Sequence, residues 1–169
     1  SFSGQAFEID SAVIRPTPAI AIPTLVGGRS DAALKRTARF GDGWIGVWCS
    51  VKRYAQAVAM IESEATALGR NNVDWCHGSQ PWVGVDWSST ETAKAAVKSG
   101  MEAFYKIPFE QFERYTPAGT PLEVAAQLAP YARAGCKMFT LKVCAEHPEE
   151  EVALGAAVIK HLTQLLAAD

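Results

Sequence analysis

Between Pro23 and Ile45 the chain reads as strand, glycine turn, helix, glycine stop and strand: "PTLVGGRSDAALKRTARFGDGWI". Residues 23–26 are apolar and bounded by Pro and Gly, as a short buried strand is. Gly27 and Gly28 let the backbone turn sharply and leave no side chain between main-chain N–H groups and a ligand. Ser30 stands where a helix N-cap belongs, with Asp31 in the first turn. Ala33, Leu34, Thr37 and Ala38 form one face of a helix over 30–40, while Lys35, Arg36 and Arg39 remain in water. Gly41 ends that helix, and a second strand starts beyond it. A glycine turn feeding a helix N-terminus favours anions, because unpaired N–H groups and the helix dipole both point at it. Many such turns bind nothing, and Gly-Gly-x-Ser is not the dinucleotide spacing G-x-G-x-x-G. On the residues alone, a phosphate site and a plain turn both stand.

The same rhythm repeats to the end of the chain, giving four βα units. The second unit pairs a strand over 43–48 with a helix over 51–68, whose Tyr54, Val58, Ile61, Ala65 and Leu68 share a face and which Gly69 ends. The third has its strand at 82–85, and Ser88-Ser-Thr-Glu91 is a capping box opening a helix with Ala93, Val97, Gly100, Met101 and Phe104 inward. Residues 106–118 are aromatic, charged and Pro-marked, a short helix or lid-like excursion. Thr120-Pro-Leu-Glu123 is a second capping box, and Pro130 is expected to kink the helix that follows near Ala126. The fourth strand covers 137–143, and the final helix, 149–166, turns Val152, Ala156, Ile159, Leu162 and Leu166 inward. Upstream, residues 7–14 suit a short strand or an extended lead-in, and Arg15-Pro-Thr-Pro18 is extended connector. The expected organisation is one domain, with a lead-in over 1–22 and four βα units over 23–169.

Strands alternating with helices imply a parallel sheet with right-handed crossovers. An open doubly wound sheet and half of a barrel are both compatible with the spacing. A whole (β/α)8 barrel is excluded, since it takes about 250 residues and rarely fewer than about 200, against 169 here. With 49% hydrophobic and 20% charged residues and a formal net charge of −2, the composition is that of a soluble globular domain, without the basic stripe that nucleic acid requires. No apolar run reaches bilayer-spanning length. Lacking an initiator Met and a basic-then-apolar leader, the first residues are expected to record a tag or a cut. Cys49, Cys76, Cys136 and Cys144 lie far apart with no C-x-x-C, which suits free thiols in a reducing cytoplasm better than disulfides or zinc.

The quoted passage and "GTPLEVAAQLAPYARAGCKMFTLKV" (residues 119–143) resemble the C-terminal half of the luciferase-like monooxygenases, the flavin- and F420-dependent (β/α)8 barrels. Ser3-Gly4-Gln5-Ala6-Phe7 is similar to an insertion that leads into that half. The resemblance implies an α/β fold of four parallel βα units, half of a TIM-type barrel corresponding to strands five to eight, beginning near the family's midpoint. It implies an oxidoreductase that transfers hydride, with oxygen insertion if FMN rather than F420 is the cofactor. It also implies that Gly27, Gly28, Arg29 and Ser30 hold the cofactor phosphate, and that much of the reactive-ring environment comes from the absent N-terminal half. Arg29 reads equally as a solvated turn residue. A half-barrel leaves an apolar concave face and two unpaired sheet edges. The expected partner is therefore a second copy, forming a homodimer, or an N-terminal half-barrel; a rearranged sheet and a cut longer protein are the alternatives.

In α/β barrels ligands sit at the C-terminal ends of the strands. His147, beside Glu146 after the fourth strand, is the one candidate general acid–base, and it serves equally well to launch the last helix. Asp42 lies at the wrong end of its strand and reads as a turn or capping residue. Trp44 reads as core; Trp48, nearer the functional end, would face a flat ring or fill core. His77 and His161 have no ligand set around them, and no metal motif is present. A non-catalytic half-barrel that binds a phosphorylated ligand or serves in assembly is the rival from a different class, and a flavodoxin- or Rossmann-like binding domain the third.

Overall fold

The computed structural model describes residues 1–168; Asp169, the last residue of the expected 23–169 segment, lies outside them. A small antiparallel hairpin, β1 (Phe2–Ser3) and β2 (Glu8–Ile9), precedes an exposed extended stretch. The βα alternation then follows as β3 (Leu25–Gly27), α1 (Asp31–Phe40), β4 (Gly43–Gly46) and α2 (Val51–Ala67). It continues with β5 (Gly78–Ser79), β6 (Trp82–Val85), α3 (Thr90–Tyr105), β7 (Ala118–Gly119), α4 (Pro121–Arg133), β8 (Met138–Phe139), β9 (Lys142–Cys144) and α5 (Glu151–Ala167). Two 3-10 turns, Phe109–Gln111 and Glu113–Tyr115, form the aromatic excursion, and a third, Pro148–Glu150, leads into α5.

Hydroxyl caps set where the helices begin. Ser30, Ser50, Ser89 and Thr120 each accept the N–H of the residue three positions on, which satisfies one of the donors a helix start leaves orphaned. Thr120 and Glu123 form the full reciprocal box. The third cap falls one residue later than the sequence pattern suggests. Ser89 caps α3, while Ser88 is held by the Asp86 carboxylate in the turn before it.

From β3 onward the strands pair in parallel, in the order β3-β4-β5-β8. After a step at Gln80–Pro81 the third strand resumes as β6, which pairs with β9 on one side and β7 on the other. Spatial order follows chain order across β3, β4, β5 and β8, whereas β7, which follows β6 in the chain, lies on the side of β6 away from β9. Alternation along β6 separates two layers. Val83 and Val85 meet Val124 and Leu128 of α4 and Leu154, Val158 and Leu162 of α5. On the other face α3 lies against Trp82, Gly84 and Cys144, with Val97 and Met101 buried beside Phe109 and Phe112. A Cβ at Gly84 would stand 2.1 Å from the Ala93 carbonyl oxygen, so the close approach of α3 requires glycine there. A third cluster packs Leu34, Ala38, Tyr54, Ile61 and Ala65 of α1 and α2 around Trp44.

Three local expectations need correction. The second strand stops at Gly46 and the fourth is broken into two short pieces, while β6 falls at the expected 82–85 with a separate short piece, β5, ahead of it. Helix α5 buries Leu154, Val158 and Leu162, whereas Val152 and Ile159 are 85% and 42% exposed. Apolar residues fall on both sides of that helix, so periodicity could not choose the buried one. Leu68 and Phe104, expected inward, are also exposed.

Candidate functional site

Strands β3 and β4 end side by side, which brings the starts of α1 and α2 together. At Gly28 the backbone takes φ +116°, and a Cβ would lie 2.8 Å from that of Ala33. The position therefore needs glycine for conformation and for room. Its carbonyl accepts the Trp44 indole N–H at 2.7 Å, which ties the turn to β4. Past β4, Trp48 adopts φ +47°, and Ser50 caps α2 by accepting the Arg53 N–H at 3.2 Å. The Arg53 side chain crosses back to α1, donating to the Arg29 carbonyl at 3.2 Å and to the Asp31 carboxylate at 3.0 Å.

These residues enclose a notch of about 390 Å³ lined by Arg29, Ser30, Trp44, Trp48, Ser50 and Arg53, with Cys49 and Tyr115 completing the wall. Two guanidinium side chains and two helix N-termini converge on it, which favours a bound anion. Arg29 lies 5.9 Å from the Trp48 ring centroid. The Trp48 ring packs against Tyr105 and Phe112 at 5.1 and 4.7 Å between centroids. Its indole N–H is buried and finds no partner among the described residues. Burial raises the Cys49 thiol, with Arg53 and Arg29 pulling the other way, so the wall presents a neutral thiol.

The structure brings Arg29 and Ser30 into the lining and puts Gly27 and Gly28 in the turn that leads there. His147 is elsewhere: exposed, before the Pro148–Glu150 turn and outside the lining. Its charge reaches Asp86, whose carboxyl is held below the ordinary range chiefly by the Ser88 and Ser89 N–H groups. Asp42 accepts the Thr24 N–H at 2.8 Å, a turn-holding role. Sequence reasoning overlooked Arg53 and Tyr115. Helix α2 carries no acid in its first turn and places Arg53 there against the dipole, a signal that was legible. Tyr115 arrives from an irregular excursion that no periodicity describes.

A second cleft, of about 250 Å³, opens at the end of α3, where Val47, Gln80, Trp82, Phe104, Tyr105 and Lys142 line it. Trp82 donates its indole N–H to the Tyr105 hydroxyl at 3.1 Å, and the Lys142 ammonium lies 5.7 Å from the Trp82 ring centroid. Tyr105 separates this cleft from Trp48 and the notch.

Parallel strands joined by helices, with an anion-favouring notch at the C-terminal ends of β3 and β4, place the chain among α/β folds. The family model described as luciferase-like monooxygenase matches residues 1–111, and the chain belongs to that family. An F420-dependent secondary alcohol dehydrogenase superposes with a TM-score of 0.80 at 16% identity, over 95% of this chain and 55% of that one. An EDTA monooxygenase from Chelativorans sp. gives 0.68 at 16% identity over 96% and 52%. A long-chain alkane monooxygenase gives 0.68 at 18% over 96% and 46%. Uncharacterized proteins of Mycobacterium tuberculosis and Mycobacterium bovis are 48% identical over 44 residues, 26% of this chain and 15% of theirs. The chain thus spans about half the length of these solved structures and a smaller share of the curated relatives. Among the described residues no helix is long and apolar enough to cross a membrane.

Proposed function

We propose that this chain is the C-terminal half of a luciferase-like oxidoreductase barrel, strands five to eight, and carries its cofactor-phosphate site. The carrying observation is the notch in which Arg29, Ser30, Ser50 and Arg53 surround the starts of two helices. The parallel run β3-β4-β5-β8 and coverage of about half of each neighbour support the half-barrel.

The notch suits FMN or F420. Gly27 and Gly28 leave the backbone open to a phosphate, Ser30 and Ser50 offer hydroxyls, and the two arginines offer charge-assisted hydrogen bonds. The buried, unpartnered Trp48 indole N–H is a further donor at the same wall. A flavin or deazaflavin, once bound, supplies the hydride chemistry. The chain's own part is to fix the phosphate, to keep water from the Trp48–Tyr105–Phe112 wall and to offer the cleft beside Trp82 and Tyr105 as apolar surroundings. The titratable side chains at the notch besides the arginines are Cys49 and Tyr115, so proton handling falls to residues of a completing half. Either a second copy or an N-terminal half-barrel would supply that half, in a reducing cytoplasm that keeps four free cysteines as thiols.

Titrating the purified protein with FMN and with F420, followed by fluorescence, tests this reading. One of the two is expected to bind, and Ser30→Ala and Arg29→Ala to weaken it. Binding of neither, or affinities that those variants leave unchanged, refutes the phosphate assignment.

A further inference from the structure

The turn that opens α1 has its carbonyls covered and its N–H groups bare. Three successive carbonyls each accept a hydrogen bond from within the chain. Gly28 accepts the Trp44 indole N–H at 2.7 Å, and Arg29 accepts the Arg53 guanidinium at 3.2 Å. Ser30 accepts the Ala33 and Leu34 N–H groups at 2.9 and 3.1 Å. The main-chain N–H groups of Arg29 and Ser30, by contrast, have no acceptor among the described residues. A turn in that state offers hydrogen bonds only to an acceptor, which suits an anion and repels nothing in it.

Trp44 is the residue that can hold the first of these peptides in place. The Gly28–Arg29 peptide is trans, so its C=O and N–H point in opposite directions. Gly28, at φ +116°, has the backbone freedom that lets this plane turn over at little steric cost. Turned over, it would bring the carbonyl oxygen to the side now held by the Arg29 N–H. The indole bond opposes that flip, and the ring that makes it is itself fixed. Trp44 is 2% exposed, its ring lies 5.2 Å from that of Tyr54, and its main-chain N–H donates to His77 Nδ1 at 3.1 Å. Room for the ring depends on Gly46, where a Cβ would stand 3.0 Å from it.

We propose that Trp44 is a positioning residue for anion binding: its indole N–H fixes the Gly28–Arg29 peptide so that the turn presents the Arg29 N–H, and not a carbonyl oxygen, to a bound phosphate. The inference rests on the reading of the notch as a phosphate site. It gives a role in that site to a ring that the sequence assigns to the core. Arg53 covers the next carbonyl in the same way but also brings charge, whereas Trp44 acts through orientation alone.

Titration with inorganic phosphate, followed through the amide NMR signals of Arg29 and Ser30, tests the inference. Both signals should move in the native protein. Trp44→Phe removes the donor, and benzothienylalanine at position 44 removes it while keeping the shape of the ring, with sulfur in place of N–H. Either replacement should weaken phosphate binding by about two- to tenfold, the worth of one neutral hydrogen bond. In both, the Arg29 signal should move less than that of Ser30. Ile61→Ala opens a cavity in the same cluster and controls for lost packing; it should lower the melting temperature and keep the native phosphate affinity. Native affinity and a native Arg29 shift in the benzothienyl protein overturn the inference and leave the phosphate site standing. Weakened binding in Ile61→Ala to the same extent also overturns it, since packing alone then accounts for the loss. If the native protein shows no shift at either amide, the phosphate reading fails and this inference fails with it.

Discussion

Buried His77 makes the stability of this fold depend on pH in a range where few other groups titrate. Its side chain is 1% exposed, stacks on Trp75 at 5.2 Å and accepts the Trp44 N–H through Nδ1 at 3.1 Å. The proton of the neutral ring therefore sits on Nε2, which has no hydrogen-bond partner among the described residues. Burial, helped by the charge of Lys137, lowers its pKa to about 4; Glu62, 3.7 Å from Nε2 and half exposed, is too well solvated to reverse this. The unfolded ring has a pKa of about 6.5, so between pH 6.5 and 4 the unfolded chain binds a proton that the folded one does not. Folding stability therefore falls as pH falls through that window. The difference amounts to about 2 kcal/mol between pH 7.5 and pH 5, and about 3 kcal/mol in full. Asp86, Glu110 and Glu123, whose folded carboxyls lie below their ordinary values, lose their contributions only at lower pH. Urea unfolding at pH 7.5, 6 and 5 isolates the histidine, with His77→Gln as control. The variant should be less stable at pH 7.5 but much flatter in pH. A native protein equally stable at pH 7.5 and 5, or a variant with the native slope, refutes the reasoning.

Other substitutions probe the framework. Gly84→Ala drives a Cβ into the Ala93 carbonyl at 2.1 Å and should cost at least about 1–3 kcal/mol as α3 is forced off the sheet, read by urea unfolding. Thr120→Ala removes the capping box of α4 and should cost about 1 kcal/mol, seen as a lower melting temperature. Ile61→Ala empties a fully buried site between α1 and α2 and should cost about 2–5 kcal/mol. Cys144 is buried, which pushes its thiol up to about 11, so a thiol reagent should label it slowly in the native protein and quickly in urea.

Physical chemistry explains which parts of this structure could be read from the chain. The α1 face of Ala33, Leu34, Thr37 and Ala38 and the Thr120 cap appear as expected, because one covered stripe and a local hydrogen bond are both written in short-range pattern. The order of the strands was not so written, since spacing fits an arc and a doubly wound sheet alike. The buried side of α5 was misjudged because Val152 and Ile159 are as apolar as Leu154 and Val158. Gly28 in the turn beside the notch and Ser30 in its lining could be named from the turn they make. Arg53 enters through a contact between two helices that are distant in sequence, and its first-turn position was the one hint. Residues 106–118 were legible as an excursion, but the placing of Phe112 and Tyr115 against the notch depends on tertiary contacts.

Comparison of FMN with riboflavin, which has the same ring and no phosphate, tests most directly whether the notch holds a phosphate. With FMN as the flavin that binds in the first titration, fluorescence titrations of the native protein should show it binding more tightly than riboflavin by about tenfold or more, as a charge-assisted hydrogen bond of about 1.5–3 kcal/mol requires. Arg53→Gln should erase most of that preference and leave riboflavin unaffected. Equal affinity for the two flavins in the native protein, or a preference that survives Arg53→Gln, would contradict the assignment of Arg53 and its neighbours as a phosphate site.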